Sequence, residues 1–485
     1  MGNIYNCHAH VFNLDCAPLQ FMDVYTGRRL GRVLRFLLEI PGATRLLVTT
    51  AGLLGKRFRL PLLTRYAAFL DIGSGVSQVS VFEKQLLPHY PPGTRFVLLA
   101  LNMDHMSAGA AALNYESQLW QLLEVRKRHP DTCLPFLCID PRMGSARQNL
   151  AFVKKWLERG FVGLKLYPSL GFFPFDERLD LVYEFAQQHQ VPVLAHCSRG
   201  GIYYQGELTH QLRWPALPAA LLPQIQAASP PFKLGDHDFP LPVLTGKLSF
   251  RNDQFSDLLL EPRLYDLVLA RFPELKLCLA HYGGGDEIAA ELKNPTPPGQ
   301  TTAPVNWYRG VQWLMRKYPN VYTDVAFTLA EGPTVFRSHP KDVLFETLAQ
   351  DLQVGSPYQD RLLFGTDFFL VSRLQPENTL AGELTQYLLQ SGPAGAVAWQ
   401  HLATDNPTRF LHSEFYTPVE HVGQKPVRRP YQPNAEPGLT VLTPPATPAP
   451  PTSTPTPPAP GPPPPTSTPT GASTPSSAQP LPTIP

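Results

Sequence analysis

Tyr5-Asn6-Cys7-His8-Ala9-His10 decides the fold, because it begins as a strand-like run and ends in two metal-ligand residues. His8 and His10 are two residues apart, and on a strand such residues point to the same side. The sequence therefore predicts that both imidazoles face one interior, while Cys7 faces outward toward a layer of helices. Alone, this His-x-His pair would be weak evidence, since most such pairs are ordinary surface or packing histidines.

Three later segments repeat the pattern of a strand-like run that ends in a histidine or an aspartate. They are Val193-Leu194-Ala195-His196, Leu277-Cys278-Leu279-Ala280-His281 and Leu363-Phe364-Gly365-Thr366-Asp367. A lone histidine in such a place is more often a hydrogen-bonded core residue, but the repeated context favours ligands. Barrel enzymes build metal sites from the ends of several strands. Imidazoles with one carboxylate form a nitrogen and oxygen set that suits Zn²⁺, Mn²⁺ or Fe²⁺.

Eight strand-like runs alternate with amphipathic helical stretches before residue 412, which predicts an α/β fold with a parallel sheet. Eight such units closed on themselves make a TIM (β/α)8 barrel, which needs only about 250 residues. The residues beyond this length predict two cap insertions, over about 14–94 and 198–257. Both follow the carboxyl ends of strands, so we expect them to cover the mouth of the site. The predicted strands are 3–9, 95–101, 133–139, 162–166, 192–195, 276–280, 321–324 and 361–365.

The composition changes after residue 412, so the predicted catalytic domain is 1–412 and the predicted tail is 413–485. From Pro437 to Pro485 no residue is charged and 19 are proline. Such a segment buries no core, and we expect a disordered, extended chain. A docking ligand that binds a protein partner through an aromatic groove is the alternative.

A basic segment lies inside the first predicted insertion. Nine Arg or Lys fall between Arg28 and Arg65, and Glu39 is the only acid among them. A solvated face of cap helices explains this charge, and so does a binding site for an anionic substrate, an anionic surface or a partner.

The global composition sets broad limits on function. The net charge of +2 gives no argument for nucleic acid, and 43% of the residues are hydrophobic, which is enough for a sizeable core. The six cysteines show no CxxC spacing and are expected to be free thiols in a reducing compartment. No signal peptide and no apolar run of about 18 residues is evident. We therefore expect a cytoplasmic protein without a membrane span. The sequence is also compatible with a homodimer.

Lys165 ends the fourth predicted strand in Gly163-Leu164-Lys165-Leu166-Tyr167-Pro168. Lysine is rarely buried unpaired. It either reaches solvent or an acid at the mouth, or it contacts a substrate carboxylate, or it serves as a modified metal bridge. Tyr167, Arg199 and Tyr282 follow strand ends and are candidate substrate-binding residues, although each is equally explained as a packed loop residue.

These segments, with the closing Asp405-Asn406-Pro407-Thr408-Arg409-Phe410, resemble the amidohydrolase superfamily over about 3–411. The similarity is to the amidohydrolase-related branch, which includes aminocarboxymuconate-semialdehyde decarboxylase and related decarboxylases and lactonases. The resemblance implies a distorted TIM barrel with a divalent metal at its carboxyl end. It would make four residues the ligands of one metal: His8, His10, His196 and Asp367.

The resemblance also implies roles for two further residues. His281 would contact the activated water or the substrate, or bind a second metal. In two-metal members a carbamylated lysine on the fourth strand bridges the ions, and Lys165 occupies that strand. One ion is commoner than two in this branch, so we expect one. The ligand set favours Zn²⁺ over Mn²⁺ or Fe²⁺.

Three functions follow as hypotheses. The first is a hydrolase of a small molecule, in which metal-activated water attacks a C–N or C–O bond. Asp367 transfers the proton, and the same ion or His281 polarises the carbonyl. The second is non-oxidative decarboxylation of an aromatic or unsaturated acid, with Arg199 on the carboxylate. The third is an inactive barrel whose tail recruits partners.

Overall fold

The computed structural model describes residues 4–18, 20, 76–209, 212, 252–295, 306–328, 340–368 and 377–418, with three two-residue strands between 225 and 238. These residues all belong to one structural unit, Met1–Tyr431, and the second unit, Gln432–Pro485, contains none of them. The basic segment 28–65 lies outside the described residues, as do most of both predicted insertions. The predicted tail also lies outside them, apart from 413–418.

Eight parallel strands form a nearly closed barrel, in which each strand pairs with the next along the chain. The predicted TIM barrel is therefore confirmed, and the strand bounds differ from the predicted ones by no more than two residues. The strands are β1 (Tyr5–Ala9), β2 (Arg95–Leu99), β3 (Cys133–Cys138), β4 (Gly163–Leu166), β5 (Val193–Ala195), β6 (Leu277–Leu279), β7 (Val321–Asp324) and β8 (Leu362–Leu363).

The barrel is closed by hydrogen bonds between β1 and the segment that follows β8. The Cys7 amide donates to the Phe364 carbonyl at 2.8 Å, and the Asp367 amide donates to the His8 carbonyl at 2.8 Å. Ala9 and Phe368 form a parallel bridge beyond them. This contact brings the first and last predicted ligand segments together.

Helices fill most of the connections between the barrel strands. Local sequence signals explain several of their starts: the side chains of Asn114 and Asn306 cap two of them, and Ser145 with Gln148 forms a capping box. The described α-helices are α1 (Gln78–Val81), α2 (Tyr115–Arg128), α3 (Ala146–Arg159), α4 (Asp180–Gln188), α5 (Asn252–Leu259), α6 (Leu264–Leu269), α7 (Gly285–Lys293), α8 (Trp307–Lys317), α9 (Pro340–Asp351), α10 (Glu377–Gln390), α11 (Gly392–Gln400) and α12 (Asn406–Leu411).

Cys7 faces the barrel interior, so the prediction that it faces the helix layer is wrong. It packs in a cluster with inward side chains of neighbouring strands, among them Val97 and Cys278. The pairing of β1 with β2 shifts register between Asn6 and Ala9. An extra residue in one strand interrupts the strict alternation of side chains. This irregularity lets Cys7 and the following His8 both reach the interior.

The amino-terminal end of the barrel is closed by α12. Phe410 and Leu411 belong to the interior cluster, and the Phe410 ring lies 5.1 Å from that of Tyr322 on β7. Lys276, just before β6, donates from Nζ to the carbonyls of His412 at 2.6 Å and Arg409 at 3.3 Å. The carboxyl end of α12 therefore lies beneath the strands, and the opposite end is left for a site.

Two further findings concern predictions from composition. All six cysteines are free, as predicted, and all six are buried. None of the helices in the described part of the chain is both long and apolar enough to cross a bilayer.

Candidate metal centre

Both histidines of β1 face Asp367 across the seam of the barrel. His8 Nε2 lies 3.4 Å and His10 Nε2 lies 3.3 Å from Asp367 Oδ1, and all three side chains are buried. The ligand-type atoms of these three residues lie within 4.8 Å of one another. The structure thus brings together three of the four residues that the resemblance implied as ligands.

The other ring nitrogen of each histidine is held by an acceptor. His8 Nδ1 is 2.9 Å from Asp324 Oδ2, and His10 Nδ1 is 3.0 Å from the Leu99 carbonyl. A carbonyl or carboxylate only accepts, so Nδ1 carries the proton and Nε2 presents a lone pair in the neutral ring. Burial first, and then the Lys165 ammonium, hold the pKa of His8 well below its ordinary value. The Nε2 lone pairs of His8 and His10 therefore face the Asp367 oxygen. Because all three atoms are electron-rich, a cation between them would stabilise this arrangement.

His196 and His281 form a second pair beside the first. His281 Nδ1 lies 2.8 Å from the Ala326 carbonyl, so its proton is on that nitrogen. His281 Nε2 then accepts from His196 Nδ1 at 2.9 Å. This leaves His196 Nε2 with a lone pair. Burial and then His281 hold the pKa of His196 well below its ordinary value, which keeps the ring neutral.

Four buried polar atoms at this end of the barrel make no hydrogen bond within the described structure. Buried polar atoms are nearly always bonded, so an unpartnered group of them calls for an explanation. Three of the four belong to residues implied as metal ligands, and the fourth belongs to the lysine of β4. A divalent cation fits this donor set of imidazole nitrogens and a carboxylate. The atoms are His8 Nε2, Lys165 Nζ, His196 Nε2 and Asp367 Oδ1.

Lys165 is fully buried and its ammonium lies 5.6 Å from the centre of the Tyr167 ring. Burial lowers its pKa to about 8, although Asp324 and Asp367 act in the opposite direction. The side chain therefore does not reach solvent, which removes one of the interpretations that the sequence left open.

Asp367 is buried and lies between the two histidines of β1. Its backbone is strained, with φ at 59°. Non-glycine residues with positive φ are uncommon and cluster at functional sites.

Asp324 is a functional candidate that the sequence interpretation missed. It ends β7, is fully buried, and accepts from His8 Nδ1 on one oxygen and from the amides of His281 and Ala326 on the other, at 2.9 and 3.0 Å. With His8 and His281 it forms a second group whose ligand-type atoms lie within 4.8 Å of one another. Its position at a strand end, like that of Asp367, was the signal in the sequence.

His281 lies in a turn where four consecutive residues have positive φ. The values are 68° at His281, 49° at Tyr282, 79° at Gly283 and 103° at Gly284. A β-carbon on Gly283 would lie 2.5 Å from the Tyr308 amide nitrogen, so only glycine allows α8 to pack this closely. The Thr328 hydroxyl fixes the turn further by donating to the His281 carbonyl at 2.6 Å.

A cavity of about 180 Å³ opens at this end of the barrel. His196, His281 and Asp367 lie on its wall with Tyr167 and Arg199. The Tyr167 ring stacks on His196 with 4.4 Å between the ring centres. Tyr282 is not part of this wall, and its hydroxyl donates instead to Asp351 at 2.8 Å.

Arg199 is anchored at the mouth of the cavity. Its Nε donates to Glu287 at 2.8 Å, and its guanidinium lies 4.2 Å from the centre of the Trp307 ring. The other oxygen of Glu287 accepts from the Trp307 amide at the start of α8. The half-exposed guanidinium is thus held over the entrance without a direct bond to any of the predicted ligands.

A family model described as amidohydrolase matches residues 109–412. The match begins after β1, so it covers His196, His281 and Asp367 but neither His8 nor His10. No curated protein matches the chain.

Several solved structures are similar in architecture. An uncharacterized TIM-barrel protein from Bordetella bronchiseptica is 16% identical, with 84% of this chain and 98% of that chain covered and a TM-score of 0.42. The 5-carboxyvanillate decarboxylase from Sphingomonas paucimobilis is 10% identical, with 85% and 100% covered and a TM-score of 0.41. The enzyme of that name from Novosphingobium aromaticivorans, solved with manganese, is 12% identical, with 84% and 96% covered and a TM-score of 0.41.

Proposed function

The chain belongs to the amidohydrolase family, and we propose that it is a metal-dependent hydrolase that cleaves a C–N or C–O bond of a small molecule. The observation that carries the proposal is the group of buried ligand-type atoms that lack a partner in the described structure and converge at the carboxyl end of the barrel. Burying such atoms unpaired is costly, and a divalent cation removes the cost for the carboxylate and the imidazoles together.

His8, His10 and Asp367 would hold the ion through Nε2, Nε2 and a carboxylate oxygen, and His196 Nε2 would supply a fourth ligand. When bound, a divalent metal lowers the pKa of a water molecule to near neutrality and polarises a carbonyl oxygen. Zn²⁺ suits this set best, with Mn²⁺ or Fe²⁺ as alternatives. One ion is favoured over two, because His196 Nδ1 and His281 Nε2 are already bonded to each other.

Asp367 is the proposed proton carrier, which takes a proton on a carboxylate oxygen and returns it to the leaving group. His281 has a different proposed role from the one that the resemblance suggested. Its Nε2 carries no proton in the neutral ring, so it accepts and does not polarise a carbonyl group. We assign to it the orientation of His196, whose Nε2 lone pair then faces the cavity.

Two substitutions test the site. We expect His8→Ala to lose the metal. His8→Ala and Asp367→Asn should each lower turnover by about a thousandfold or more, while both proteins still fold and unfold cooperatively. Metal content per chain by elemental analysis, followed by assays on lactones, amides and aromatic carboxylates, gives the readout. Full turnover in the Asp367→Asn protein would sink the proton-carrier role.

Decarboxylation of an aromatic or unsaturated acid is the second candidate. It is supported by the guanidinium of Arg199 at the cavity mouth, where a carboxylate substrate would meet a fixed positive charge. Release of CO₂ from the aromatic carboxylates, with loss of that activity in Arg199→Met and no hydrolysis of lactones or amides, would favour this candidate over hydrolysis. A homodimer and a partner for the tail remain predictions from the sequence.

A further inference from the structure

The turn from His281 to Gly284 keeps a backbone conformation that costs free energy at two non-glycine residues. Strain of this kind persists only when the surrounding structure fixes it. On its cavity side, the turn is held by Asp324, which binds the His281 amide, and by Thr328, which binds the His281 carbonyl. Neither contact involves Tyr282, the next strained residue, so other groups must fix its conformation.

Tyr282 is held from the helix layer by a buried polar network. Its hydroxyl donates to Asp351 Oδ2 at 2.8 Å and accepts from Gln312 Nε2 at 3.0 Å. Asp351 also accepts from the Tyr308 hydroxyl at 2.9 Å. Tyr282 and Gln312 are fully buried, and the rings of Tyr282 and Tyr308 lie 4.8 Å apart edge to face. The last residue of α9 is thereby tied to α8 and to the turn.

The network does not touch the cavity. Neither Tyr282 nor Asp351 is among the residues of its wall. The Tyr282 hydroxyl can influence His196 through the peptide link from Tyr282 to His281, and then through the bond between His281 Nε2 and His196 Nδ1.

We propose that Asp351 is a positioning residue, which acts through the Tyr282 hydroxyl to hold His281 and hence the His196 lone pair toward the metal site. The part of this proposal that concerns metal rests on the proposed function. The part that concerns the turn does not, because it is a statement about backbone geometry in the metal-free protein.

Tyr282→Phe tests the proposal, because it removes the hydroxyl and keeps the ring. The control is Tyr318→Phe at the other end of α8, where the hydroxyl donates to the buried Asp266 at 2.7 Å. The primary readout is hydrogen exchange of the His281 and Gly284 amides in the metal-free, full-length protein. We expect exchange to become at least about fivefold faster in Tyr282→Phe, because two buried hydrogen bonds are lost and each contributes about 1 kcal/mol, and to stay unchanged in Tyr318→Phe.

Zinc titration of the same proteins is the second readout. We expect Tyr282→Phe to bind zinc about tenfold more weakly than the wild type, and Tyr318→Phe to bind it equally well. Asp351→Leu, which keeps a similar side-chain shape and removes both acceptor oxygens, should give the same two changes, so the result does not depend on one variant folding. Wild-type exchange rates in both Tyr282→Phe and Asp351→Leu, or equal acceleration in Tyr318→Phe, would overturn the proposal. Failure of the wild type to bind zinc, with the exchange difference intact, would count against the proposed function and leave the positioning of the turn standing.

Discussion

Asp324 joins more of the candidate site than any single predicted ligand does. One carboxylate oxygen orients His8, and the other receives the backbone amide of His281. The Cys278 thiol lies 3.7 Å from the first oxygen. A carboxylate in this position fixes the tautomer of a ligand histidine and the direction of its free nitrogen. Asp324 therefore controls whether His8 Nε2 is presented to a metal at all.

Replacing Asp324 with asparagine should weaken metal binding. The loss of a carboxylate partner behind a ligand histidine typically costs about 10- to 100-fold in affinity, and we expect this range for zinc in Asp324→Asn. Competition against a chromophoric chelator measures it. Asp140→Asn is the matched control, since Asp140 is a buried aspartate just after β3 that pairs with Arg142 instead of a histidine. Equal zinc affinity in the wild type and Asp324→Asn would contradict the assigned role.

Individual residues differ in how far the sequence could predict them. The repeated strand-end pattern predicted His8, His10 and Asp367 as one group, and the structure places their side chains close together. Asp324 was missed because Val-Tyr-Thr-Asp belongs to no familiar motif, although it too is a carboxylate at the end of a strand. The direction of Cys7 was predicted wrongly because strict alternation assumes a regular strand, and the register shift in β1 depends on its partner β2.

At the scale of elements, the seam between β1 and the end of β8 depends on one glycine. A β-carbon on Gly365 would lie 2.8 Å from the His8 β-carbon and 3.2 Å from the His8 amide nitrogen. No rotation of a side chain relieves that clash, so the two segments must move apart. Because His8 and Asp367 lie on either side of the seam, its spacing sets the spacing of the ligands.

We expect Gly365→Ala to lower both zinc affinity and the free energy of unfolding, the latter by about 1–3 kcal/mol, as overpacking usually does. Gly382→Ala is the control, because Gly382 is an exposed residue of α10 with open space around it. That change should stabilise by about 0.5–1 kcal/mol through helix propensity and leave zinc binding unaltered. Denaturant titration and zinc titration give the two readouts. Unchanged zinc affinity in Gly365→Ala would show that the seam does not set ligand spacing.

Element boundaries were predictable because their causes are local. Alternating apolar runs, capping residues such as Ser145 and Asn306, and the apolar faces of the helices all lie within short stretches of sequence. The turn at His281 was not predictable in the same way. Its conformation depends on the close approach of α8 and on the bond to Asp351, which lies 69 residues away.

At the scale of the whole molecule, the amino-terminal closure of the barrel involves a buried charge. Lys276 is 8% exposed, and burial lowers its pKa to about 8. The residue donates to two carbonyls at the end of α12, and no carboxylate partner is found for it among the described residues. The amino-terminal end of the barrel therefore contains a lysine whose charged form is less favourable in the folded protein than in the unfolded chain.

This closure predicts a pH dependence of stability. Between the folded pKa of about 8 and the unfolded value of about 10.4, the unfolded chain binds more protons, so the free energy of unfolding rises with pH. The rise should be about 3 kcal/mol, and the penalty is fully present at pH 7 and below. Urea titrations of the wild type and Lys276→Met from pH 7 to 10.5 isolate the contribution of Lys276 to the free energy of unfolding, since the other groups titrate in both proteins. Parallel curves for the two proteins would rule the effect out.

The fold class as a whole was predictable because strand and helix periods alternate eight times, and few architectures accept that order. The two long insertions and the Pro-rich tail break this periodicity, and most of their residues fall outside the described part of the chain. The charge and composition of these segments allow several interpretations, because neither quantity specifies which residues a segment packs against.

The guanidinium of Arg199 over the ring of Trp307 gives the molecule an optical reporter at the entrance to its cavity. Indole emission depends on the charges around the ring, and this ring has a cation above its face and Glu261 on its nitrogen. A compound that draws Arg199 toward itself changes that environment whether or not it is turned over. Chemical libraries can therefore be screened by intrinsic fluorescence before the reaction is known, and removing this indole in Trp307→Phe identifies the signal among the six tryptophans of the chain.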